Sequence, residues 1–155
     1  MDEKTVVAPE LPNAKTQARA FETVRAAHQT ETAEDYVELI ADLIAAQGEA
    51  RLVDLAKRLG VSHPTASKVI ERLQREELVV SRPYRSIFLT EKGEALARRC
   101  KARHQIVSKF LQSLGISEPI AEIDAEGVEH HVSEETIAAF HRALVAKGID
   151  VPDLD

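Results

Sequence analysis

The sequence has no tryptophan, one cysteine and one methionine, and aromatic residues make up only 4% of it. Each shortage excludes something. Cys100 alone cannot close an intrachain disulfide, so a disulfide-stapled secreted domain is ruled out and a cytoplasmic location is expected. No apolar run approaches the length of a bilayer span. Met1 to Ala20 lacks the continuous apolar segment of a signal peptide, so no membrane partner is expected. With so few rings, the core must rest on Leu, Ile, Val and Ala, which suits helices better than a β-sandwich. The 155 residues suffice for one ordinary domain, or for two small ones that share a core.

The net charge of −6 would argue against a polyanionic partner if it were evenly spread. Residues 51–103, however, hold 13 Lys and Arg against 6 Asp and Glu, while the remainder holds 7 against 20. One segment is built to meet polyanions and the rest to meet cations or water.

The basic segment carries a recognisable pattern. Leu52, Leu55, Ala56 and Leu59 make a short amphipathic helix. Gly60 permits a sharp turn, Val61 plugs the corner, Ser62 caps a second helix and Pro64 sits in its first turn. Ala66, Val69, Ile70 and Leu73 face inward, leaving His63, Thr65, Ser67, Lys68 and Arg72 outside. This is a helix–turn–helix. Leu78-Val79-Val80 and Ile87-Phe88-Leu89 predict a hairpin whose tip, Ser81 to Ser86, is basic: a wing. His63, Thr65 and Ser67 are the candidates for reading bases. Lys68 and Arg72 are candidates for phosphates or base edges, and Arg82 and Arg85 for the flanking backbone. Taken singly, each is also an ordinary solvated residue.

Upstream, Met1 to Ala14 has prolines and no apolar period, and is expected to be a mobile tail. A helix over Lys15–Gln29 has no evident purpose. A second helix, Ala33–Gln47, carries the stripe Tyr36, Val37, Ile40, Leu43 and Ile44, with Thr32 as its N-cap and Gly48 as its stop. Downstream, Thr90 caps a long helix to about Leu114. Helices follow at Glu118–His130 and Glu134–Lys147, the last capped by Ser133, and the end from Gly148 is expected to fray.

Three groups of residues carry chemistry. Asp35 and Glu38 are spaced i,i+3. His104 lies on the long helix after the wing. Glu126, Glu129 and His130 follow at i, i+3 and i+4, so that each group points in one direction. Four carboxylates and two imidazoles balance two divalent cations, and a set of oxygen and nitrogen donors without thiolate suits manganese or ferrous iron better than structural zinc. Alone, Asp35 and Glu38 would be a solvated helix start favoured by the helix dipole. His131, about 100° around the helix from His130, is expected beside the site or on the surface. Glu122 reads as a solvated carboxylate, Cys100 and Tyr36 as packed residues, and His28 and His141 as lacking partners. Gly127 serves either close packing or a free carbonyl near the metal.

Glu34-Asp35-Tyr36-Val37-Glu38, Arg103-His104 and Asp124-Ala-Glu-Gly-Val-Glu-His-His-Val-Ser133 together resemble the manganese transport regulators of the diphtheria-toxin-repressor family over about residues 33–147. The resemblance implies that Asp35, Glu38, His104, Glu126, Glu129 and His130 bind a pair of manganese ions, with ferrous iron or zinc as substitutes. It also implies a homodimer on a double-stranded DNA operator and repression of manganese uptake genes. The expected fold is mainly α with a small β-hairpin wing. The winged helix–turn–helix domain with its N-terminal helix spans 15–98, and a helical metal-binding and dimerisation domain spans 99–150, behind a tail at 1–14. Ligands on both sides of the joint would fix the recognition-helix spacing near one DNA turn, ~34 Å. Two rivals stay open: an iron- or zinc-responsive regulator of the same family, and a metal-independent winged-helix regulator. An enzyme acting on an organic substrate is not expected, since it would leave the basic segment unexplained.

Overall fold

The computed structural model describes residues 10–154, so most of the expected mobile tail, Met1–Pro9, lies outside the described residues, as does Asp155. Helix α1 (Ala14–Gln47) runs unbroken for 34 residues, where the sequence pattern predicts two helices. Between the two, Gln29-Thr30-Glu31-Thr32 contains no Gly or Pro, and the Thr30 hydroxyl donates back to the Ala27 carbonyl at 3.0 Å. The backbone therefore continues, and Thr32 is interior rather than an N-cap. The cap is Asn13, whose Oδ1 accepts from the Lys15 N–H at 3.0 Å. Only the second half of α1 is buried, through Ala33, Tyr36, Val37, Ile40 and Leu43. Residues 14–30 are exposed apart from Ala27.

Helices α2 (Leu52–Leu59) and α3 (His63–Arg75) form the helix–turn–helix. Gly60 takes φ +67, a left-handed turn that a Cβ would strain. Ser62 Oγ accepts from the Thr65 N–H at 3.2 Å and caps α3. Strands β1 (Val79–Val80) and β2 (Phe88–Leu89) pair antiparallel, Val79 opposite Leu89 and Val80 opposite Phe88, and Ala50 bridges to Ile87 at the root of the wing.

Helix α4 (Glu91–Ser113) starts at Thr90, whose Oγ1 accepts from the Gly93 N–H at 3.0 Å. Here glycine is obligatory: a Cβ on Gly93 would stand 2.0 Å from the Leu78 carbonyl oxygen. Helices α5 (Glu118–Val128) and α6 (Glu134–Ala146) pack on the far half of α4. The fold is thus mainly α with a small hairpin.

Two apolar clusters result. One gathers Ile40, Leu55, Ile70, Leu73 and Ile87. The other gathers Ile106, Val107, Ala125, Ile137 and Leu144. The chain end does not fray as expected: Ile149 and Val151 pack on the second cluster, and the Ile149 N–H donates to the Leu144 carbonyl at 3.0 Å. No helix among the described residues is long and apolar enough to cross a membrane. Helix α4 takes part in both clusters, and the polar residues of interest lie along it where α1 crosses.

Candidate metal centre and nucleic-acid interface

Helix α1 delivers Asp35 and Glu38, α4 delivers His104, and α5 with the turn after it delivers Glu126, Glu129 and His130. Helix α5 stops at Val128, two residues before the expected end. Glu129 keeps helical dihedrals as the C-cap, so the ligand spacing survives the early stop.

Glu129 stands at the centre, only 1% exposed. Its Oε2 lies 3.2 Å from His104 Nδ1 and its Oε1 lies 3.4 Å from His130 Nε2. Glu126 Oε1 is 3.6 Å from the same His104 nitrogen, and Asp35 Oδ1 is 3.0 Å from His130 Nε2. Glu38 lines an open cleft together with Asp35 and Glu126. The structure therefore brings together all six residues singled out in the sequence.

Distance alone would make these contacts hydrogen bonds, but alignment does not. His104 Nδ1, both Glu129 oxygens and His130 Nε2 are buried with no aligned hydrogen-bond partner. An unpaired buried polar atom costs roughly 1–3 kcal/mol. A cation among these donors would satisfy all of them, so the residues present fit a divalent metal. The opposite nitrogen of each ring is held from outside. His104 Nε2 lies 2.9 Å from Glu122 Oε2, and Ser108, itself met by Gln112 at 3.1 Å, donates to the other Glu122 oxygen. His130 Nδ1 lies 2.6 Å from Glu34 Oε2. In the neutral ring that a metal requires, the outer carboxylate would keep the proton on the far nitrogen and leave the inner nitrogen's lone pair toward the cluster.

The charges of the cluster strain against each other. Burial, then the Glu129 and Glu126 carboxylates, raises Glu38 to about 7. Burial likewise raises Glu129, with His104 opposing. The facing Glu129 carboxylate, against the cost of burial and aided by Glu122, raises His104 to about 9. Burial lowers His130, but Asp35 and Glu34 outweigh it and bring it to about 10. Arg103 fastens the turn beneath: its guanidinium donates to the Glu129 carbonyl at 2.6 Å, to the Val132 carbonyl at 2.7 Å and to Glu134 at 2.8 Å. Cys100 is buried close by, and burial followed by Glu34, Glu38 and Glu129 pushes its thiol up to about 12. It remains a neutral packed group and no thiolate ligand.

Sequence reasoning missed Glu34 and Arg103 and read Glu122 as solvated. Glu34 adjoins Asp35 and Glu122 lies one turn before Glu126, so the spacing was there, but their role is to orient histidines and not to face the cluster. His28 is not without a partner: its Nδ1 lies 3.2 Å from Glu31 Oε2. His131 sits beside the site, 3.4 Å from that same oxygen. A Cβ on Gly127 would meet nothing within 4 Å, so close packing does not explain that glycine.

On the other side of the molecule His63, Thr65 and Lys68 are exposed on α3, and Ser67 is half-buried. Between α3 and the wing runs a groove lined by His63, Ser67, Gln74, Arg82 and Arg85. The Thr65 hydroxyl meets Ser62 Oγ at 2.8 Å. Arg72 is tied to Glu76 at 3.4 Å and is half-buried, so it lies beside the middle of the exposed face rather than at it. Arg75 and Lys68 hold that middle, a position the pattern overlooked for Arg75. Arg82 and Arg85 are exposed on the wing, where the Arg85 N–H closes a turn on the Arg82 carbonyl at 3.1 Å.

Two family profiles match the chain. One described as "Iron dependent repressor, N-terminal DNA binding domain" matches residues 28–87. One described as "Iron dependent repressor, metal binding and dimerisation domain" matches residues 90–145. The transcriptional regulator MntR of Escherichia coli O6:H1 is 53% identical over 131 residues, 84% of each chain. The HTH-type transcriptional regulator MntR of Bacillus subtilis (strain 168) is 36% identical over 108 residues, 70% of this chain and 76% of that one. A solved "manganese-dependent transcriptional repressor complex with manganese" superposes with a TM-score of 0.69 at 28% identity, over 79% of this chain and 62% of that one.

Proposed function

The chain belongs to the diphtheria-toxin-repressor family of metal-dependent regulators, in its manganese-regulator branch, and from that premise we propose that it is a manganese-responsive DNA-binding regulator that represses manganese uptake genes when metal is bound. Glu129 carries this reading. It lies between the inward nitrogens of His104 and His130, with one oxygen toward each. Asp35 with His130 on one side of Glu129, and His104 with Glu126 on the other, would hold a pair of divalent ions together with Glu38 from α1. Such ions would supply the positive charge that the clustered carboxylates lack. A donor set of oxygen and imidazole without thiolate suits manganese, with ferrous iron and zinc as weaker-fitting substitutes.

The mechanism rests on where the residues are anchored. Asp35 and Glu38 belong to α1, whose other face is the core of the helix–turn–helix lobe. His104, Glu126, Glu129 and His130 belong to the helical lobe. Holding both sets on shared charges fixes the angle between lobes and, in a homodimer, the separation of two α3 helices at ~34 Å, one DNA turn. Ile120 and Ile123 of α5, with Leu114 before it, leave an exposed apolar face for the dimer. Lys68 and Arg75 then meet the operator, Arg82 and Arg85 grip its backbone, and His63 and Ser67 reach toward bases.

The test is DNA binding by fluorescence anisotropy, on a duplex selected from random sequence in the presence of manganese. Titrations compare manganese, ferrous iron, zinc and chelator. Wild type should bind only with metal, and most tightly with manganese. Glu38→Ala and His104→Ala should remain folded dimers and lose the metal response. Variants that bind the duplex equally well with and without chelator would sink the proposal.

A further inference from the structure

The exposed half of α1 has no part in the mechanism above, yet at its base three side chains converge that are not among the six. His28 Nδ1 lies 3.2 Å from Glu31 Oε2, and His131 Nε2 lies 3.4 Å from the same oxygen. The two imidazoles meet edge to face, their centroids 4.6 Å apart at 69°. The three donor atoms all fall within 4.8 Å of one another.

We propose that His28, Glu31 and His131 form a separate site for one divalent transition-metal ion of the imidazole-binding kind, zinc or cobalt, which fastens the protruding half of α1 to the helical lobe.

Three observations carry it. The first is spacing. Donors bound tetrahedrally at ~2.1 Å stand about 3.4 Å apart, close to the separations already present. The second is convergence. For both contacts to be hydrogen bonds, both rings must aim an N–H at one carboxylate oxygen; a single cation satisfies the two neutral rings and the carboxylate together. The third is topology. His28 and Glu31 share a face of α1 at i,i+3, while His131 comes from the turn after α5, so the site joins two elements that otherwise leave residues 14–30 unheld. His28 is largely exposed and gives an ion a way in. Two imidazoles to one carboxylate is a softer set than the acidic centre next door, so the two places should prefer different metals. Glu31 also lies with Asp35 and His130, so its removal would disturb both; His28 is the diagnostic residue. The proposal does not depend on how the six-residue centre works.

Cobalt(II) is the probe, read by its visible absorption and by calorimetric stoichiometry on the full chain. Wild type should take up one more equivalent than His28→Ala, and His131→Ala should show the same loss. His28→Ala sits on an exposed helix surface and should fold as wild type by circular dichroism. In a chain carrying Asp35→Ala, His104→Ala and His130→Ala, one equivalent should persist and vanish only when His28→Ala is added, which separates this site from the central one. Cobalt should also slow limited proteolysis within residues 14–27 of wild type, and not of His28→Ala. Equal stoichiometry and spectra in wild type and His28→Ala, or an extra equivalent bound only at millimolar cobalt, would overturn the proposal.

Discussion

The apolar cluster around Ile40, Leu55 and Leu73 is sealed from water, whereas the polar cluster has a buried middle at Glu129 and His130 and a rim open to solvent at Asp35 and Glu126, and α1 contributes to each. They differ in completeness. In the first, the groups that meet are alike and attract. In the second, carboxylates from α1 and α5 face one another with only two imidazoles among them, and the inner atoms lack aligned partners. One region needs no further partner. The other awaits protons or cations. A sensor needs both: a lobe that keeps its shape regardless, and a joint that does not.

The most severe way to probe this contrast is to damage the permanent side. Leu73→Ala empties a fully buried position and should cost about 2–5 kcal/mol of stability, measured by urea unfolding, equally with manganese and with chelator. A loss confined to the metal-free state would merge the two regions.

Next comes pH, which should move only the conditional side. Glu38 is raised from 4.5 to about 7, so the stability held by its proton is present in acid and goes as pH rises through that interval. His104 is raised from 6.5 to about 9, so its contribution is present below 6.5 and is lost as pH climbs through 9. Both slopes have the same sign. The Tm of chelated protein should fall steadily between about pH 5 and pH 9. With excess manganese the midpoint should instead hold or rise, because the ligands shed those protons on binding. A flat profile without metal would remove the strain ascribed to the joint.

A subtler break is Glu122→Gln, which keeps the shape of the residue behind His104 and removes its charge. Manganese affinity should drop about 10–100-fold while unfolding of the chelated protein barely changes; unaltered affinity would show that Glu122 does not position the ring. Smallest of all, Ser62→Ala removes the α3 cap at roughly 1 kcal/mol, and calorimetry should find that cost on the permanent side alone.

The same division governs what the sequence made legible. The helix–turn–helix, its Ser62 cap and the wing follow from short-range patterns, because each depends on neighbours a few residues away. The six central residues were found as three local groups, but their convergence is a tertiary fact; periodicity placed each on a face without saying that the faces meet. Where longer range decides, the pattern misled. Thr32 looked like a cap, yet nothing before it stops the helix. His28 looked alone because one of its neighbours, His131, is distant along the chain although the fold brings the two rings together. The tail after Gly148 looked frayed because two apolar residues, Ile149 and Val151, are too few to show a period and still enough to reach a core. Glu34 and Glu122 were hidden for a different reason: a carboxylate that orients a histidine has the same spacing as one in solvent.

Gly93 gives α4 a mechanical meaning. With no side chain there, the helix backbone lies directly against the strand root at Leu78, and the same rigid rod carries His104 further along. The two points are separated by ~16 Å at helical rise. A tilt of ~5° about the histidine would therefore sweep the wing root through ~1.4 Å with no loop in between to absorb it. The hairpin and the His104 ring are mounted on one lever.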